Sequence, residues 1–343
     1  MIYRSKAPLR IGLAGGGTDV SPYCDLYGGA ILNATLSLYA HATIEPLEDK
    51  TILLQGMDRK EDQRFEDGID RDSLPIDGRL DLLKGVYNRI RKQYGWPGRG
   101  FRLSTFVDAP AGSGLGTSST LVVAIIGAFA EMMRLPLGEY DMAHLAYDIE
   151  RQDLKMAGGR QDQYAATFGG VNYMEFYKDD KVIVNPLRIK QQYLFELENN
   201  LLLYYTATSR ESARIIEVQS RNVTDKKERS IEAMHQLKHQ AQLMKEALLM
   251  GRIHEIGEIL DFGFREKQKM AEGISNAFID EIYEQARRAG ATGGKISGAG
   301  GGGFMTFYCP GIAKYRVMEV LANLGGHCQP YQFTGHGLTT WTV

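Results

Sequence analysis

A glycine-rich segment between a predicted strand and a predicted helix constrains this chain more than any other feature. The segment runs from Pro110 to Ser119, after an apolar alternation at 101–107 and before an apolar run at 121–129. Glycines at 112, 114 and 116 allow positive φ angles, so that successive N–H groups can converge on an anion. The following helix adds free N–H groups and the positive end of its dipole. The pattern predicts a phosphate-binding loop, and the alternative is a glycine turn capped by a serine.

Two better-known glycine signatures do not fit. A Walker loop needs a lysine followed by a hydroxyl residue, and neither 110–119 nor Gly293-Gly294-Lys295-Ile296 supplies that pair. Residues 298–303 match Gly-x-Gly-x-x-Gly, but an apolar strand pattern at 304–309 follows them. A dinucleotide fingerprint must open a helix at that point, so the Rossmann class is excluded.

Composition narrows the class of partner. The chain has 343 residues, of which 43% are hydrophobic, enough for one large or two ordinary domains. Its 40 basic and 42 acidic residues nearly balance, so the chain has no strong overall positive charge. This balance argues against nucleic acid or a membrane surface as a binding partner. Three cysteines without metal-ligand spacing are typical of a reducing compartment. No run approaches the ~18 apolar residues of a membrane-spanning helix, and we expect a cytoplasmic protein with small-molecule partners.

The order of predicted elements favours the α+β class. Strand patterns lie at 9–13, 38–44, 51–55, 101–107, 171–176, 201–206 and 304–309, with a last one near 328–333. Helical patterns lie at 80–94, 121–133, 277–289 and over most of 211–270. A polar stretch after Pro186 interrupts the sequence of elements. We therefore predict an N-terminal domain over 1–190 and a C-terminal domain over 191–343.

Two carboxylates form a second group of candidate functional residues. Glu150 ends an amphipathic helical pattern, and Asp162 lies beyond the turn at Gly158-Gly159. A carboxylate, a hydroxyl and phosphate oxygens make the oxygen set that Mg²⁺ prefers. The alternatives are a solvated helix face for Glu150 and a helix N-cap for Asp162.

Three separated segments resemble motifs one, two and three of the GHMP small-molecule kinases. They are 7–19 (Ala-Pro-Leu-Arg-Ile-Gly-Leu-Ala-Gly-Gly-Gly-Thr-Asp), 110–119 and 295–303. The three motifs occur in the order and at the spacing found in that family, so the resemblance covers essentially the whole chain. It implies an N-terminal ATP-binding domain of the ribosomal protein S5 domain 2 type and a ferredoxin-like C-terminal domain, with the active site between them. It also implies ATP and Mg²⁺ as cofactors.

The resemblance assigns roles to individual residues. Asp162 would face the acceptor hydroxyl, Arg10 would hold that carboxylate charged, and Ser118 with Glu150 would bind Mg²⁺. The ATP phosphates would lie on Gly112, Ser113, Gly114, Leu115, Gly116, Thr117, Ser118 and Ser119. We also expect the acceptor to contact Gly16, Gly17, Thr18, Asp19, Arg160, Gly300 and Gly301, with Arg160 chosen for its charge and not from the resemblance.

Within the family, 14–19 and 28–34 look like the branch that contains heptose 7-phosphate kinases, and more loosely like fucokinases. The Glu and His that galactokinases carry in motif one are absent here. The resemblance implies phosphorylation of the anomeric hydroxyl of D-glycero-D-manno-heptose 7-phosphate to the 1,7-bisphosphate, for nucleotide-activated heptose and surface polysaccharide. The alternatives are a free-sugar kinase of the fucokinase or galactokinase type, an isoprenoid-pathway kinase, or a non-catalytic ligand-binding member.

A phosphorylated acceptor requires cations at the far end of its pocket. The candidates are Lys155, Arg160, Arg210 and Arg214, with Arg160 first because it lies two residues before Asp162. We expect a monomer or a homodimer.

Overall fold

The computed structural model describes residues 1–96, 98–208 and 212–343. The strands are β1 (Tyr3–Ala14), β2 (Gly29–Pro46), β3 (Ile52–Gly56), β4 (Glu61–Phe65), β5 (Phe101–Val107), β6 (Val171–Phe176), β7 (Val182–Pro186), β8 (Leu201–Tyr205), β9 (Gly293–Ile296), β10 (Phe304–Tyr308), β11 (His327–Cys328) and β12 (Thr339–Thr342). The helices are α1 (Tyr23–Tyr27), α2 (Asp81–Tyr94), α3 (Thr117–Met133), α4 (Glu139–Asp148), α5 (Gln161–Phe168), α6 (Gln191–Asn200), α7 (Ser212–Thr224), α8 (Glu228–Met250), α9 (Ile256–Met270), α10 (Ala277–Ala289) and α11 (Ala313–Ala322). A π-helical turn, Ile149–Asp153, continues α4.

The strands form two sheets within the described residues. The first has eight strands in the order β12-β1-β2-β5-β3-β4, with β6 pairing the start of β2 and β7 pairing β6. Its pairs are antiparallel except β3 with β5. The second sheet has four antiparallel strands in the order β11-β8-β10-β9. Antiparallel sheets with interleaved helices confirm the predicted α+β class.

The end of the chain differs from the prediction of a strand near 328–333. His327–Cys328 pair with β8, and Phe333 forms an isolated antiparallel bridge with Leu36 of β2. The chain then continues along the first sheet, where β12 runs antiparallel to β1. The Thr340 hydroxyl donates to the Glu131 carboxylate of α3 at 2.7 Å. The C-terminal segment therefore completes the sheet of the N-terminal half, and the domain boundary near residue 190 stays a prediction.

Helix α3 is the buried support of the phosphate loop. It starts at Thr117, directly after Gly116 at φ 79°, and its apolar residues from Val122 to Phe129 are inaccessible to solvent. Phe129 packs against Phe101 and Tyr87 in an aromatic cluster. Full burial of each large apolar side chain contributes about 1.5–3 kcal/mol. The N-terminus of α3 is therefore held rigidly at the edge of the sheet.

An irregularity in β1 places Arg10 beside that loop. The register of β1 against β2 shifts between Pro8 and Arg10, and again between Gly12 and Ala14. At the first shift, the backbone N–H of Arg10 donates to the Leu115 carbonyl at 3.1 Å. The bulged strand thereby joins motif one to the glycine loop.

The second half of the chain closes directly on the same loop. The Phe304 N–H donates to the Ser113 carbonyl at 2.9 Å. A Cβ on Gly114 would lie 2.8 Å from the Ser297 carbonyl oxygen, so only glycine permits this approach. Among the described helices, none combines the length and apolarity needed to cross a membrane.

Candidate active site

A cleft of about 390 Å³ lies where the two halves meet. The N-terminal half contributes Arg10, Gly17, Asp19, Val20, Gly112, Gly114, Gly116, Thr117, Ser118, Ser119, Glu150, Arg151, Lys155, Met156, Ala157, Gly158, Gly159, Gln161 and Asp162. The C-terminal half contributes Ala213, Ile216, Glu217, Gln219, Lys267, Gly298 and Ala299. The cleft thus brings together residues from all three sequence motifs.

The glycine loop has the predicted conformation. Gly112, Gly114 and Gly116 have φ angles of 73°, 83° and 79°, and all three line the cleft with Thr117, Ser118 and Ser119. The side chains of Ser113 and Leu115 are buried instead, so these two residues can contribute only backbone to the cleft. The open N-terminus of α3 faces the same space, which makes this wall suited to an anion.

Arg10 and Asp162 form an ion pair in the cleft. Arg10 Nε donates to Asp162 Oδ1 at 2.7 Å, and its Nη1 donates to the Gly114 carbonyl at 2.6 Å. Arg10 is 3% exposed, whereas the Asp162 side chain is 23% exposed. Asp162 therefore presents a partly open carboxylate next to the loop, and a Cβ on Gly116 would lie only 3.1 Å from its Cγ.

Asp19 caps the helix that carries Asp162. Its Oδ2 accepts the backbone N–H groups of Arg160 at 2.8 Å and Gln161 at 3.0 Å, at the start of α5. Burial raises the pKa of the Asp19 carboxyl, and these amide hydrogen bonds oppose that shift. Because one oxygen is committed to the helix, Asp19 both lines the cleft and orients α5.

Glu150 lies on the π-helical turn and is 1% exposed. Gln163 Nε2 donates to Glu150 Oε2 and, at 3.1 Å, to the Ser119 hydroxyl. Burial raises the pKa of the Glu150 carboxyl, and the nearby Arg151 opposes that shift. A buried carboxylate beside hydroxyl groups at a helix N-terminus is an oxygen donor set suited to a divalent cation.

Two buried lysines from the second half were missed by the sequence reasoning. Lys267 of α9 is 4% exposed and donates to the Gly298 carbonyl, and Lys295 of β9 is 6% exposed and donates to the Gly12 carbonyl. Burial lowers the pKa of Lys267 to about 8 and that of Lys295 well below its ordinary value. A signal for Lys267 did exist: it falls on the apolar stripe of α9, at the spacing of Leu260 and Phe264.

Three further polar residues of the cleft were also missed. Gln219 of α7 donates to the Gly17 carbonyl at 2.7 Å. Arg151 donates to the Met156 and Gly159 carbonyls, which fixes the segment at the rim of the cleft. Gln161 Oε1 is buried without a hydrogen-bond partner among the described residues. The contact of Gln219 joins segments 202 residues apart, which no local pattern indicates.

Some residues predicted to bind the acceptor do not line the cleft. The buried Thr18 hydroxyl donates to the Gly15 and Ala30 carbonyls, so Thr18 holds a turn. Gly300 and Gly301 pack against Ile274. Gly16 lies behind the lining, near the two lysine ammonium groups. Of the set, Gly17 and Asp19 do reach the cleft.

Arg160 also turns away from the cleft. Its guanidinium pairs with Asp180 at 2.7 Å and Asp25 at 3.3 Å, and it donates to the Tyr177 carbonyl. Its side chain is therefore part of a buried network, which corrects its assignment as the first contact for a distal phosphate. Of the other cations proposed for that role, Lys155 lines the cleft, Arg214 is exposed and outside the lining, and Arg210 lies outside the described residues.

A second cavity of about 280 Å³ adjoins the cleft and shares Ser118 and Met156 with it. Six of its lining residues are aliphatic: Ile76, Leu80, Leu82, Leu83, Leu121 and Leu154. Asp58, Arg59 and Asp81 also line it. This cavity is suited to a flat apolar group connected to whatever the glycine loop binds.

Comparison with known proteins agrees with these motifs. Residues 81–170 match the family model of the GHMP kinases N terminal domain, and residues 244–311 match that of the GHMP kinases C terminal. A D-glycero-alpha-D-manno-heptose 7-phosphate kinase from Campylobacter jejuni is 47% identical over 99% of both chains.

Solved structures share the fold over the full length. A D-glycero-D-manno-heptose 1-phosphate kinase from Bacteroides thetaiotaomicron superimposes with a TM-score of 0.85 and 45% identity, covering 99% of both chains. The mevalonate kinase of Methanococcus jannaschii shares the fold at a TM-score of 0.76 and 18% identity, covering 97% of this chain and 98% of its own. The predicted family resemblance and the two-domain α+β class are confirmed.

Proposed function

Because the chain belongs to the GHMP kinase family and is an ATP-dependent sugar kinase, we propose that it phosphorylates the anomeric hydroxyl of D-glycero-D-manno-heptose 7-phosphate. The product would be the 1,7-bisphosphate, a precursor for nucleotide-activated heptose and surface polysaccharide. The observation that carries the proposal is the Arg10–Asp162 pair beside the glycine loop. It supplies a carboxylate for an acceptor hydroxyl where a transferred phosphoryl group would arrive.

The names of the two similar proteins differ in where the acceptor carries its phosphate. One is a heptose 7-phosphate kinase and the other a heptose 1-phosphate kinase. Both names describe a kinase acting on a phosphorylated heptose. Both relatives match over 99% of both chains, and we favour the 7-phosphate because segments 14–19 and 28–34 resemble the heptose 7-phosphate kinase branch.

The nucleotide would lie across the glycine loop and the adjoining cavity. Backbone N–H groups around Gly112, Gly114 and Gly116 would bind the phosphates at the N-terminus of α3. The aliphatic cavity reached past Ser118 and Met156 would take the adenine ring. The apolar cavity for adenine and the anion-binding loop for the phosphates therefore lie next to each other, as the two ends of ATP require.

Glu150 and Ser118 are the residues that would hold Mg²⁺, and both line the cleft. When bound, the ion would neutralise charge on the β- and γ-phosphates. Gln163 bridges Glu150 and Ser119, which fixes the carboxylate toward the start of α3. Burial disfavours the charged carboxylate, and Arg151 Nη2, at 3.9 Å from Glu150 Oε2, offsets this only in part. A bound divalent ion would stabilise the charged form further.

Asp162 would orient the acceptor hydroxyl and accept its proton as the bond to phosphorus forms. Arg10 balances the carboxylate charge and lies where it can contact the transferred group. Gln161 Oε1 and the free oxygen of Asp19 are acceptors for other sugar hydroxyls. These residues describe a polar wall suited to a polyol.

An ADP-release screen across phosphorylated and free heptoses and hexoses tests the proposal. We expect heptose 7-phosphate to exceed the free heptose in kcat/KM by at least ~100-fold, since a phosphate engages more than one charge-assisted hydrogen bond. Comparable efficiency on the free sugar would favour a kinase of the fucokinase type instead.

A further inference from the structure

Three buried cationic side chains lie in or directly behind the cleft, which also contains the buried carboxylates of Asp19 and Glu150. Arg10, Lys267 and Lys295 are each at most 6% exposed. Arg10 is paired with Asp162, but the two lysines donate to the carbonyls of Gly298 and Gly12. Among the described residues, no carboxylate forms an ion pair with either ammonium group.

Both ammonium groups converge on the backbone of motif one. A Cβ on Gly16 would lie 3.9 Å from Lys295 Nζ and 4.0 Å from Lys267 Nζ. Lys267 lines the cleft with Gly17, Asp19 and Gln161, whereas Lys295 lies behind that lining. Lys267 can therefore contact a ligand in the cleft directly. Lys295 lies behind the lining and can act on the ligand only as a second nearby ammonium group.

Burying an ammonium group without a counter-ion disfavours folding, because the interior solvates it poorly. Both lysines show this penalty as a lowered pKa caused first by burial. The positive charge of Arg10 lowers the pKa of both lysines further, and the carboxylate of Asp19 partly offsets the lowered pKa of Lys267. Positive charge retained at such a cost in stability is typical of a binding site whose anion arrives with the ligand.

We propose that Lys267, supported by Lys295, binds the phosphate that the acceptor already carries. This inference rests on the proposed function and deepens it by naming the residues that select a phosphorylated sugar. A phosphoryl dianion could also come from the transferred group of ATP, since Lys267 contacts Gly298, which packs on Gly114 of the loop. The measurements below separate these two sources.

The first measurement is equilibrium binding without ATP, using inorganic phosphate and heptose 7-phosphate as probes. Lys267→Met keeps the length of the side chain and removes the charge. We expect this variant to bind both probes about 10- to 100-fold more weakly, which is the factor for one lost charge-assisted hydrogen bond. The matched control is Lys269→Met on the same helix, where the lysine is 41% exposed and pairs with Glu266.

Proton uptake gives a readout that a purely structural lysine would not change. Because an anion favours the charged ammonium, wild-type protein at pH 8.5 should take up protons when it binds inorganic phosphate. Calorimetry in two buffers of different ionisation enthalpy measures this uptake. Lys267→Met should reduce it, and Lys269→Met should leave it as in wild type.

Steady-state kinetics then assign the source of the phosphoryl group. If Lys267 binds the acceptor's phosphate, Lys267→Met raises KM for heptose 7-phosphate and leaves the free heptose unaffected. An equal fall in kcat for both sugars would overturn the proposal and assign Lys267 to the transferred group. Unchanged binding of both probes would also overturn it. If heptose 7-phosphate is no substrate but inorganic phosphate binding depends on Lys267, the proposed function fails while the anion site stands.

Discussion

At the scale of single residues, two aspartates that lie close together in the cleft have different surroundings and partners. Asp162 is partly open and paired with Arg10, whereas Asp19 is buried and caps α5. Helix α5 therefore carries one carboxylate that is open to the cleft and is capped by another. The resemblance indicated both aspartates, but only the folded chain shows which of them caps the helix.

Asp162→Asn is expected to lower kcat by at least ~100-fold while ATP affinity stays within a few-fold, because only the acceptor-side carboxylate changes. Single-turnover rates and nucleotide titrations measure the two effects. Asp70→Asn, at an exposed ion pair with Lys50, is the control and should be neutral. A variant that retains more than about a tenth of the wild-type kcat would contradict the role as a base.

Glu150→Gln and Ser118→Ala are each expected to raise the Mg²⁺ concentration needed for half-maximal rate. Each removes one oxygen ligand, so excess metal should restore part of the rate. Magnesium titration of the initial rate tests this expectation. An unchanged magnesium requirement in both variants would rule out the metal assignment.

Lys267 gives stability a defined pH dependence. Below about pH 8 it is charged in both states, and from about 8 to its unfolded value of 10.5 only the unfolded chain retains the proton. The free energy of unfolding should therefore rise with pH over this window, by up to about 3 kcal/mol. Denaturant titrations at several pH values should show a smaller rise in Lys267→Met than in Lys269→Met. An equal rise would contradict the buried, uncompensated ammonium.

At the scale of elements, the strand–loop–helix unit was predictable because its signals are local. The strand at 101–107 and the glycine conformations agree with the sequence prediction. The return of β12 to β1 and the contact of Lys267 with Gly298 could not be predicted. They join residues far apart in sequence, and hydrophobic periodicity carries no information on such pairings.

Gly114→Ala is expected to weaken nucleotide binding by at least about 10-fold. Gly114 has φ 83°, and a new Cβ would collide with the Ser297 carbonyl and move the loop away from the second half. Gly325→Ala is the control, since Gly325 has φ 81° with no atom within 4 Å of a Cβ. Both variants place alanine at a positive φ angle, but only Gly114→Ala should displace the glycine loop. A difference in nucleotide affinity between them therefore measures the effect of loop displacement. Equal affinities would contradict a binding role for this loop.

At the scale of the whole molecule, the two halves contribute different parts of one site. The first half provides the glycine loop, Arg10, Glu150 and Asp162, and the second provides Lys267, Gly298 and Ala299. An ATP analogue should protect amides at 112–119 from hydrogen exchange, and heptose 7-phosphate should add protection around Lys267. Helix α11, outside the cleft, should be unchanged. Protection confined to the first half would contradict a shared site.

The position of the new phosphate on the sugar distinguishes an anomeric kinase from every alternative. Wild-type protein is incubated with ATP, Mg²⁺ and heptose 7-phosphate, and the product is analysed by phosphorus and proton NMR. We expect a new phosphorus signal coupled to the anomeric proton, with the original phosphate retained. Coupling to any other sugar proton, or ADP release without a bisphosphate, would contradict it.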